Sequence, residues 1–381
     1  MRHLLLLAFL LIFAPGCNRP AALSQAPADQ VPVVATDLFP QKKQIETLAA
    51  EYRTNNGIPA LSVAIMRKGK LVYSGGFGMA DVATAKPATG ESVYLLASIS
   101  KLFGGTLAAK LEAEGQLRDE TIVNLDLSKP TRDYIDLPAN GHTHTVAQLT
   151  AHLGCVPHYG GSSTPDGHFA TAAAAAKQLN NDPTLSGCTI GHNYNYSTHA
   201  FTYLGAVLEK VTRRPVARLV EEEIADAYQL PSVRVMYREK ELRPNPHRVS
   251  IYGNAGNEIN YEENSWKVFG GGIEANAIDI ARFTHLINVG RIVDADTREN
   301  RLWKRLAPDS ESPYGISWRL GEMDGVPVAE HSGSARGSRT HVRLYRDAQD
   351  PLIICVLTNG GITNFRPEAL VTEMGKVIRG K

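Results

Sequence analysis

The chain has 381 residues, of which 43% are apolar and 21% are charged. This is the composition of a globular protein with ample material for a large core, and the length allows one domain or more. The formal net charge is +1 and no block of lysines or arginines stands out. The sequence therefore predicts no nucleic-acid partner.

The N-terminal stretch "MRHLLLLAFLLIFAPGC" predicts an export signal over residues 1–17. Arg2 precedes an apolar run, Leu4–Phe13, that is too short to span a bilayer comfortably and fits a signal peptide. The stretch ends like a bacterial lipoprotein signal, in which Cys17 becomes the acylated first residue, although the Ala-Pro pair departs from the usual pattern. The alternative is an ordinary signal peptide cleaved nearby. Both predict export to the periplasmic side of a bacterial membrane, with a lipid anchor at Cys17 or as a periplasmic or secreted protein.

Residues 18–41 are rich in alanine and proline and lack a helical period, which predicts a flexible tether. The folded domain is predicted over residues 42–381. It opens with an amphipathic helix from Lys42 that Gly57 ends, and the next segment, 61–78, predicts a β-hairpin whose turn contains a glycine.

The end of the chain is also predicted to contain two strands and an amphipathic helix. "HVRLYRD" and "LIICVL" predict strands, and "RPEALVTEMGKVIRG" predicts an amphipathic helix. The region between the two ends, about 98–265, is mostly helical by propensity and period, with stops at Gly115, Gly154 and Pro215. The predicted class is α/β (α+β): an antiparallel sheet built from both chain ends, flanked by terminal helices, with an inserted and mostly helical subdomain.

Three cysteines lie in this domain. Cys355 falls in an apolar strand and is predicted to be buried and inert. Cys155 and Cys188 are able to pair in an exported protein, and two free thiols are the alternative.

The spacing Ser98-Ile99-Ser100-Lys101 occurs once, which is roughly what chance gives in a chain of this length. A serine at this junction of an extended segment and a helix is also a good helix cap. The chemical interpretation is that Lys101, three residues along the helix, reaches Ser98. Among apolar neighbours a lysine loses affinity for its proton and is able to accept that of the serine. The backbone N–H groups of a helix start favour a developing negative charge.

The neighbouring motifs favour the chemical interpretation. "GIPALSVAIMRKGKLVYSGGFGMAD" followed by "ASISK" resembles the opening of the β-lactamase-related serine hydrolases, which include class C β-lactamases, serine DD-peptidases and family VIII esterases. "TVAQLTAHLG", "FGGGIEANAIDIARF" and "YGISW" match further pieces of that superfamily in its order, and the resemblance covers about residues 42–380. It implies the serine β-lactamase/DD-peptidase fold, with Ser98 as nucleophile and Lys101 as its partner.

A second motif of the superfamily, Tyr-x-Asn before a helix, corresponds to Tyr196-Ser197-Thr198. The resemblance implies a proton-transfer role for Tyr196 and a substrate contact for Thr198, whose hydroxyl lacks the combined donor and acceptor of asparagine. The mitochondrial serine β-lactamase-like protein shares Tyr-Ser-Thr and is the best match in motif. A core role for Tyr196, with Tyr194 as a nearby decoy, is the alternative.

A third motif, Lys-Thr-Gly or His-x-Gly on an edge strand, corresponds to His331-Ser332-Gly333. The resemblance implies that His331 places a donor, cationic at low pH, near a carboxylate or oxyanion, and that Gly333 lets the substrate approach the strand. It also implies an oxyanion site made by the backbone N–H groups of Ser98 and Ser334. Trp266 is predicted either to line the pocket or to pack in the core.

These residues predict a serine hydrolase that forms an acyl-enzyme on an ester, a D-amino-acid peptide or amide, or a β-lactam, without a cofactor. The sequence does not decide whether Lys101 or Tyr196 is the base. One alternative is a non-catalytic lipoprotein that senses β-lactams or peptidoglycan fragments. A zinc enzyme is a weaker one, because the crowded histidines around His142 and His144 match no metal-binding motif. The sequence predicts no metal site and leaves the oligomeric state open.

Overall fold

A computed structural model describes residues 39–137, 141–159, 164–179, 183–238, 241–360 and 366–381. The predicted signal peptide, the predicted acylation site Cys17 and nearly all of the predicted tether lie outside the described residues. In the part of the chain that the structure describes, no helix is both long and apolar enough to cross a membrane.

The described residues form fourteen strands and ten helices. The strands are β1 Ala60–Arg67, β2 Lys70–Asp81, β3 Lys86–Pro87, β4 Tyr94–Leu95, β5 Arg234–Val235, β6 Tyr237–Arg238, β7 Glu241–Leu242, β8 Ile251–Tyr252, β9 Glu258–Ile259, β10 Ile273–Ala275, β11 Arg319–Met323, β12 Val326–Ala335, β13 Ser338–Tyr345 and β14 Leu352–Thr358. The helices are α1 Lys42–Asn55, α2 Ser100–Glu114, α3 Val146–Thr150, α4 Ala172–Leu179, α5 His199–Thr212, α6 Val216–Val220, α7 Val268–Gly271, α8 Ala277–Asn288, α9 Ala295–Thr297 and α10 Pro367–Arg379.

Seven strands form one antiparallel sheet in the order β11-β12-β13-β14-β1-β2-β3. Its centre joins the two ends of the chain, because Val63 of β1 lies opposite Gly75 of β2 and Val356 of β14. The prediction of a sheet built from both chain ends is confirmed, as is the fold class.

Both faces of this sheet are buried, and the side chains of β1 alternate between them, as the two-residue period of a strand requires. Leu61, Val63 and Ile65 pack in one cluster with α1 and α10. Ala60, Ala64 and Met66 belong to the larger cluster, which also contains α2, α5 and α8. The helical subdomain is therefore packed against the sheet face opposite the terminal helices.

Two details differ from or extend the sequence prediction. The helix predicted to stop at Gly154 ends at Thr150, because His152 adopts a left-handed backbone with φ 58° that a helix cannot continue through. Cys155 and Cys188, whose pairing the sequence left open, form a disulfide. Cys355 is a buried free thiol on β14, as expected.

Asn359 fastens the end of β14 to three neighbouring segments. Its buried side chain accepts the backbone N–H of Ala60 at 2.7 Å and donates to the carbonyl of Ser250 at 2.9 Å. Replacing it would leave a buried donor and a buried acceptor unpaired, and each such group costs roughly 1–3 kcal/mol.

We therefore expect Asn359→Ala to lower the free energy of unfolding by about 2–4 kcal/mol. Urea denaturation followed by circular dichroism measures this change. Asn257→Ala, at an exposed position of the β8–β9 turn, is the matched control and is expected to change stability by less than about 0.5 kcal/mol. Equal effects of the two substitutions would contradict the role assigned to Asn359.

Candidate active site

Ser98 lies in a short turn, Ala97–Ile99, between β4 and α2. This turn is held from both sides: the Leu96 N–H donates to the Ile273 carbonyl at 2.9 Å, and Thr340 Oγ1 donates to the Leu96 carbonyl at 2.8 Å. Ser100, the other serine of the motif, is buried, and its hydroxyl accepts the N–H of Ile273 at 3.1 Å. Ser98 is thus the serine that opens to the cavity described below.

Gly333 on β12 explains how this turn comes so close to the sheet. A Cβ at Gly333 would lie 2.3 Å from the Leu96 carbonyl oxygen and 2.1 Å from Thr340 Oγ1. Glycine was expected here to let a substrate approach the strand. In the structure it first lets the nucleophile turn approach the strand.

Lys101 is completely buried, with its amine directed at Ser98. Its Nζ lies 3.1 Å from Ser98 Oγ, 3.3 Å from Thr198 Oγ1 and 2.7 Å from the Gly270 carbonyl oxygen, to which it donates. Burial, and then the positive charge of Lys267, hold the pKa of Lys101 well below its usual range. The neutral amine that the sequence analysis called for is therefore favoured.

Tyr196 faces Ser98 from the loop before α5. Its hydroxyl shares a hydrogen bond with the side chain of Ser98, and its ring centroid lies 5.0 Å from Lys101 Nζ. Burial raises the pKa of Tyr196, although the hydrogen bond to Ser98 acts in the opposite direction. Tyr194, the decoy, stacks instead on Tyr314 with ring centroids 5.9 Å apart.

The loop that carries Tyr196 is fixed by the segment at 152–158. The rings of His152 and Tyr196 lie 4.2 Å apart, and His152 Nδ1 accepts the N–H of Ser197 at 3.1 Å. The disulfide between Cys155 and Cys188 joins the same two segments covalently. The left-handed turn at His152 is what brings its ring onto Tyr196.

Thr198, at the position where the superfamily has asparagine, contacts Lys101 as described. Its backbone N–H donates to Nδ1 of His158 at 3.1 Å. Burial, followed by the charge of Lys101, lowers the pKa of His158 to about 4, so the imidazole is a neutral acceptor at pH 7.

The resemblance predicts His331 as a donor that is cationic at low pH, and the hydrogen bonding of its ring alters the donor part of that prediction. His331 is buried on β12, and its Nδ1 donates to the Ser332 carbonyl at 2.7 Å, which leaves Nε2 as the unprotonated nitrogen. Burial, and then the charge of Lys101, lower the pKa of His331 to about 3. At neutral pH His331 therefore brings no positive charge to the site.

These groups border one cavity of about 590 Å³. Its wall includes the nucleophile turn, the loop before α5, the segment before α7 and the second half of β12; the lining residues named so far are Ala97, Ser98, His158, Tyr194, Tyr196, Thr198, Gly270, Tyr314, His331, Ser332, Gly333 and Ser334. Residues 331–335 extend past the last pair between β11 and β12, Arg319 with Glu330, so this stretch of β12 has an open edge there.

Trp266 adopts the second of its two predicted roles, packing in the core, and three lining residues were missed. Trp266 does not line the cavity; it is buried beside His199 and Tyr159, at ring distances of 5.5 and 6.0 Å. Lys267, Tyr159 and Arg319 line it instead. No motif indicates them, because each contributes through the burial and direction of its side chain. Among the described residues, no three potential metal ligands converge to hold an ion.

The Ser98 hydroxyl lies within hydrogen-bond distance of a buried lysine with a lowered pKa and of a tyrosine. This arrangement is typical of a serine hydrolase site. Residues 45–375 match the model of the family described as Beta-lactamase, so the chain belongs to the Beta-lactamase family. The superfamily recognised from the sequence motifs is thereby confirmed.

Two curated relatives show the range of similar proteins. Protein flp of Staphylococcus aureus (strain MRSA252) is 25% identical over 188 residues, 47% of this chain and 35% of that protein. The D-aminopeptidase of Gluconobacter oxydans (strain 621H) is 24% identical over 316 residues, 79% of this chain and 56% of that protein. The chain thus matches about a third of the length of the first relative and about half of the second.

Solved structures agree in fold. The octameric penicillin-binding protein homologue from Pyrococcus abyssi is similar with a TM-score of 0.74 at 18% identity, over 89% of this chain and 77% of that one. The D-amino acid amidase from Ochrobactrum anthropi SV3 complexed with D-phenylalanine also gives 0.74 at 18% identity, over 89% of this chain and 98% of that one. At these identities the similarity concerns the fold.

The close approach at Gly333 generates a first prediction for the site. Gly333→Ala should push the Leu96 carbonyl away and displace Ser98, reducing the rate of serine acylation by roughly tenfold or more, since small misplacements of reacting groups are costly. The rate of labelling by a fluorophosphonate measures this. Gly321→Ala on β11 is the matched control, because a Cβ there meets only Val328 Cγ2, at 3.7 Å. Unchanged labelling of a folded Gly333→Ala protein would contradict the prediction.

The lowered pKa of Lys101 generates a second prediction, for the dependence of acylation on pH. The deprotonated amine is the active form in the proposed mechanism, so the rate should rise as pH increases through the lowered pKa of Lys101 and then level off well below the ordinary pKa of a lysine. Tyr196, with its raised pKa, stays protonated while the rate rises and levels off. The rate constant for fluorophosphonate labelling, corrected for reagent hydrolysis, gives the profile. A rate that keeps climbing tenfold per pH unit through about pH 9 would instead show a lysine with an ordinary pKa.

Proposed function

We propose that this protein is a serine hydrolase that forms an acyl-enzyme at Ser98 on amide or ester carbonyls. The observation that carries the proposal is the position of Ser98 Oγ, which contacts both Lys101 and Tyr196 at the wall of an open cavity. Two groups able to move the serine proton thus lie where a substrate carbonyl has room to enter.

The pKa of Lys101 is lowered and that of Tyr196 is raised, so we assign a different proton transfer to each residue. Lys101, favoured as the neutral amine, takes the proton of Ser98 as the hydroxyl attacks the carbonyl carbon. Tyr196, favoured as the neutral phenol, donates a hydrogen bond to the reacting oxygen and passes a proton to the leaving group, regaining one from Lys101. The three groups titrate as a coupled set.

The backbone N–H groups of Ser98 and Ser334 are our proposed donors to the oxyanion of the tetrahedral intermediate. Both residues line the cavity, Ser98 on the nucleophile turn and Ser334 on the open stretch of β12. Collapse of the intermediate releases the amine or alcohol and leaves the acyl group on Ser98. Water, activated by the same pair of groups, then releases the acid.

Among substrate classes we favour amides and peptides of D-amino acids over β-lactams. The similarity to a D-aminopeptidase and the shared fold with a D-amino acid amidase support this choice. Thr198 in place of asparagine and a neutral His331 in place of a cation also support it, because both reduce the polar contacts offered to a lactam.

We also propose that the protein is exported and anchored by a lipid on Cys17, or released as a periplasmic or secreted protein. The N-terminal sequence pattern supports export, and the Cys155–Cys188 disulfide is consistent with an oxidising compartment. Intact mass of the protein purified from membranes, compared with Cys17→Ala, tests the anchor. A mature protein that carries no lipid would limit the proposal to export.

The nucleophile is tested by intact-mass spectrometry after treatment with a fluorophosphonate and, separately, with a penicillin. We expect one fluorophosphonate adduct on the wild-type protein and none on Ser98→Ala. Ser332→Ala is the matched control, because its hydroxyl bonds His341 instead of the reacting groups, and it should be labelled normally.

The penicillin experiment distinguishes hydrolysis of the β-lactam from stable acylation by it. An adduct that decays shows turnover, whereas a stable adduct shows a trapped acyl-enzyme that the protein releases slowly. The absence of any adduct in folded wild-type protein would overturn the hydrolase proposal in favour of a non-catalytic sensor.

A further inference from the structure

Lys267 is a cation buried in the wall of the active-site cavity without an acidic partner among the described residues. Its side chain lies in the segment just before α7 and is about 9% exposed. Its Nζ donates to the hydroxyl of Tyr159 at 3.0 Å and lies 5.2 and 5.1 Å from the ring centroids of Tyr159 and Trp266. These contacts direct the amine and restrict its movement.

Arg319 also lines the cavity, but it has acidic partners. Arg319 lies 3.4 Å from Glu330 and 3.9 Å from Glu368, so its charge is balanced within the protein. The lining residues that the structure describes include no aspartate or glutamate. A buried charge without a counter-charge is costly, and an anion entering the cavity would offset that cost at Lys267.

His331 does not compete for such an anion. Its Nδ1 proton is directed at the Ser332 carbonyl and its Nε2 carries no proton in the neutral ring. The positive charge available to a ligand is therefore on the part of the wall formed by the segment before α7 and not on β12.

We propose that Lys267, held by Tyr159, is a specificity-determining residue that binds a carboxylate on the substrate, so that the enzyme prefers carboxylate-bearing acyl substrates over neutral ones and over those with a free ammonium group. This inference rests on the proposed hydrolase function and narrows its substrate class: among amides and peptides of D-amino acids it selects those whose acyl part carries a carboxylate, and it disfavours those with a free α-ammonium group, which an aminopeptidase would accept. An ammonium group in the cavity would meet the cation of Lys267 and no described carboxylate.

Three 4-nitrophenyl esters of matched length test the preference: the monoester of adipic acid, the same ester with the free carboxyl converted to a primary amide, and the ester of 6-aminohexanoic acid. The wild-type protein should give the largest kcat/KM with the anionic ester and the smallest with the cationic one. We expect kcat/KM for the anionic ester to exceed that for the neutral ester by roughly tenfold or more, because a hydrogen bond between charged groups usually contributes at least that factor.

Lys267→Met should reduce this anionic-to-neutral ratio to about one, whereas Lys267→Arg should retain most of it. Tyr159→Phe removes the hydrogen bond to Nζ but keeps the charge, and should reduce the ratio partially. Lys210→Met is the matched control, because Lys210 is exposed on α5 and lines a different cavity; it should leave the ratio unchanged.

A purely electrostatic role of Lys267 is distinguishable from substrate binding. Loss of Lys267 would raise the pKa of Lys101 and slow all three esters together, so the ratio would stay constant while the pH profile moves to higher pH. That result, or a wild-type protein that hydrolyses the neutral ester as fast as the anionic one, would overturn the carboxylate site but leave the hydrolase intact.

If none of the esters is hydrolysed and no fluorophosphonate adduct forms, the proposed function fails, and binding still decides the inference. Calorimetry with Ser98→Ala would then compare the Kd of the uncleaved anionic and neutral esters, with and without Lys267→Met. A preference for the anion that disappears with Lys267→Met supports the site, and equal affinities overturn it.

Discussion

The arrangement of the active site depends on the complete burial of the Lys101 amine beside Ser98. A protonated amine in this position would hold a charge away from water, and among the described residues its hydrogen-bond partners are neutral oxygens, those of Ser98, Thr198 and Gly270. Burial thereby favours the neutral amine of a side chain that is ordinarily protonated at neutral pH, which is the form that the proposed mechanism uses as a base. Burial also requires that α5 and α7 close over the start of α2, which explains why Thr198 and Gly270, whose oxygens contact the amine, lie far along the chain from Ser98 and Lys101.

The sheet supplies the opposite wall, and its position is set by small residues. Gly333 lets β12 contact the Leu96 carbonyl, and Thr340 on β13 donates to the same oxygen. Because β11 pairs with β12 only as far as Glu330, the stretch that follows is open toward the cavity. Strand β12 therefore both positions the nucleophile turn and lines the active-site cavity.

Much of the fold and the centre of the site could be predicted from the sequence, for identifiable reasons. The paired ends of the chain have strong strand and helix periods, and Ser98, Lys101 and Tyr196 lie at fixed distances from helices that the sequence marks clearly. Tertiary contacts decide the rest. The protonation of His331 depends on a carbonyl one residue away, and α3 ends early because His152 must reach Tyr196. The sequence left open whether Trp266 lines the pocket or packs in the core; it packs, and its neighbour Lys267 lines the cavity.

The same tertiary effects redistribute charge within the site. In the superfamily's pattern a cationic or donating side chain on the strand faces the substrate, whereas here burial beside Lys101 keeps His331 neutral. Lys101, His331 and His158 all have lowered pKa values, first because burial disfavours their charged forms and second because neighbouring basic groups disfavour each other's protonation. Lys267 lowers the pKa of Lys101 in the same way. A site in which burial and a nearby cation together favour the neutral amine of Lys101 also favours anions, so the pKa of Lys101 and the proposed preference for anionic substrates are physically coupled.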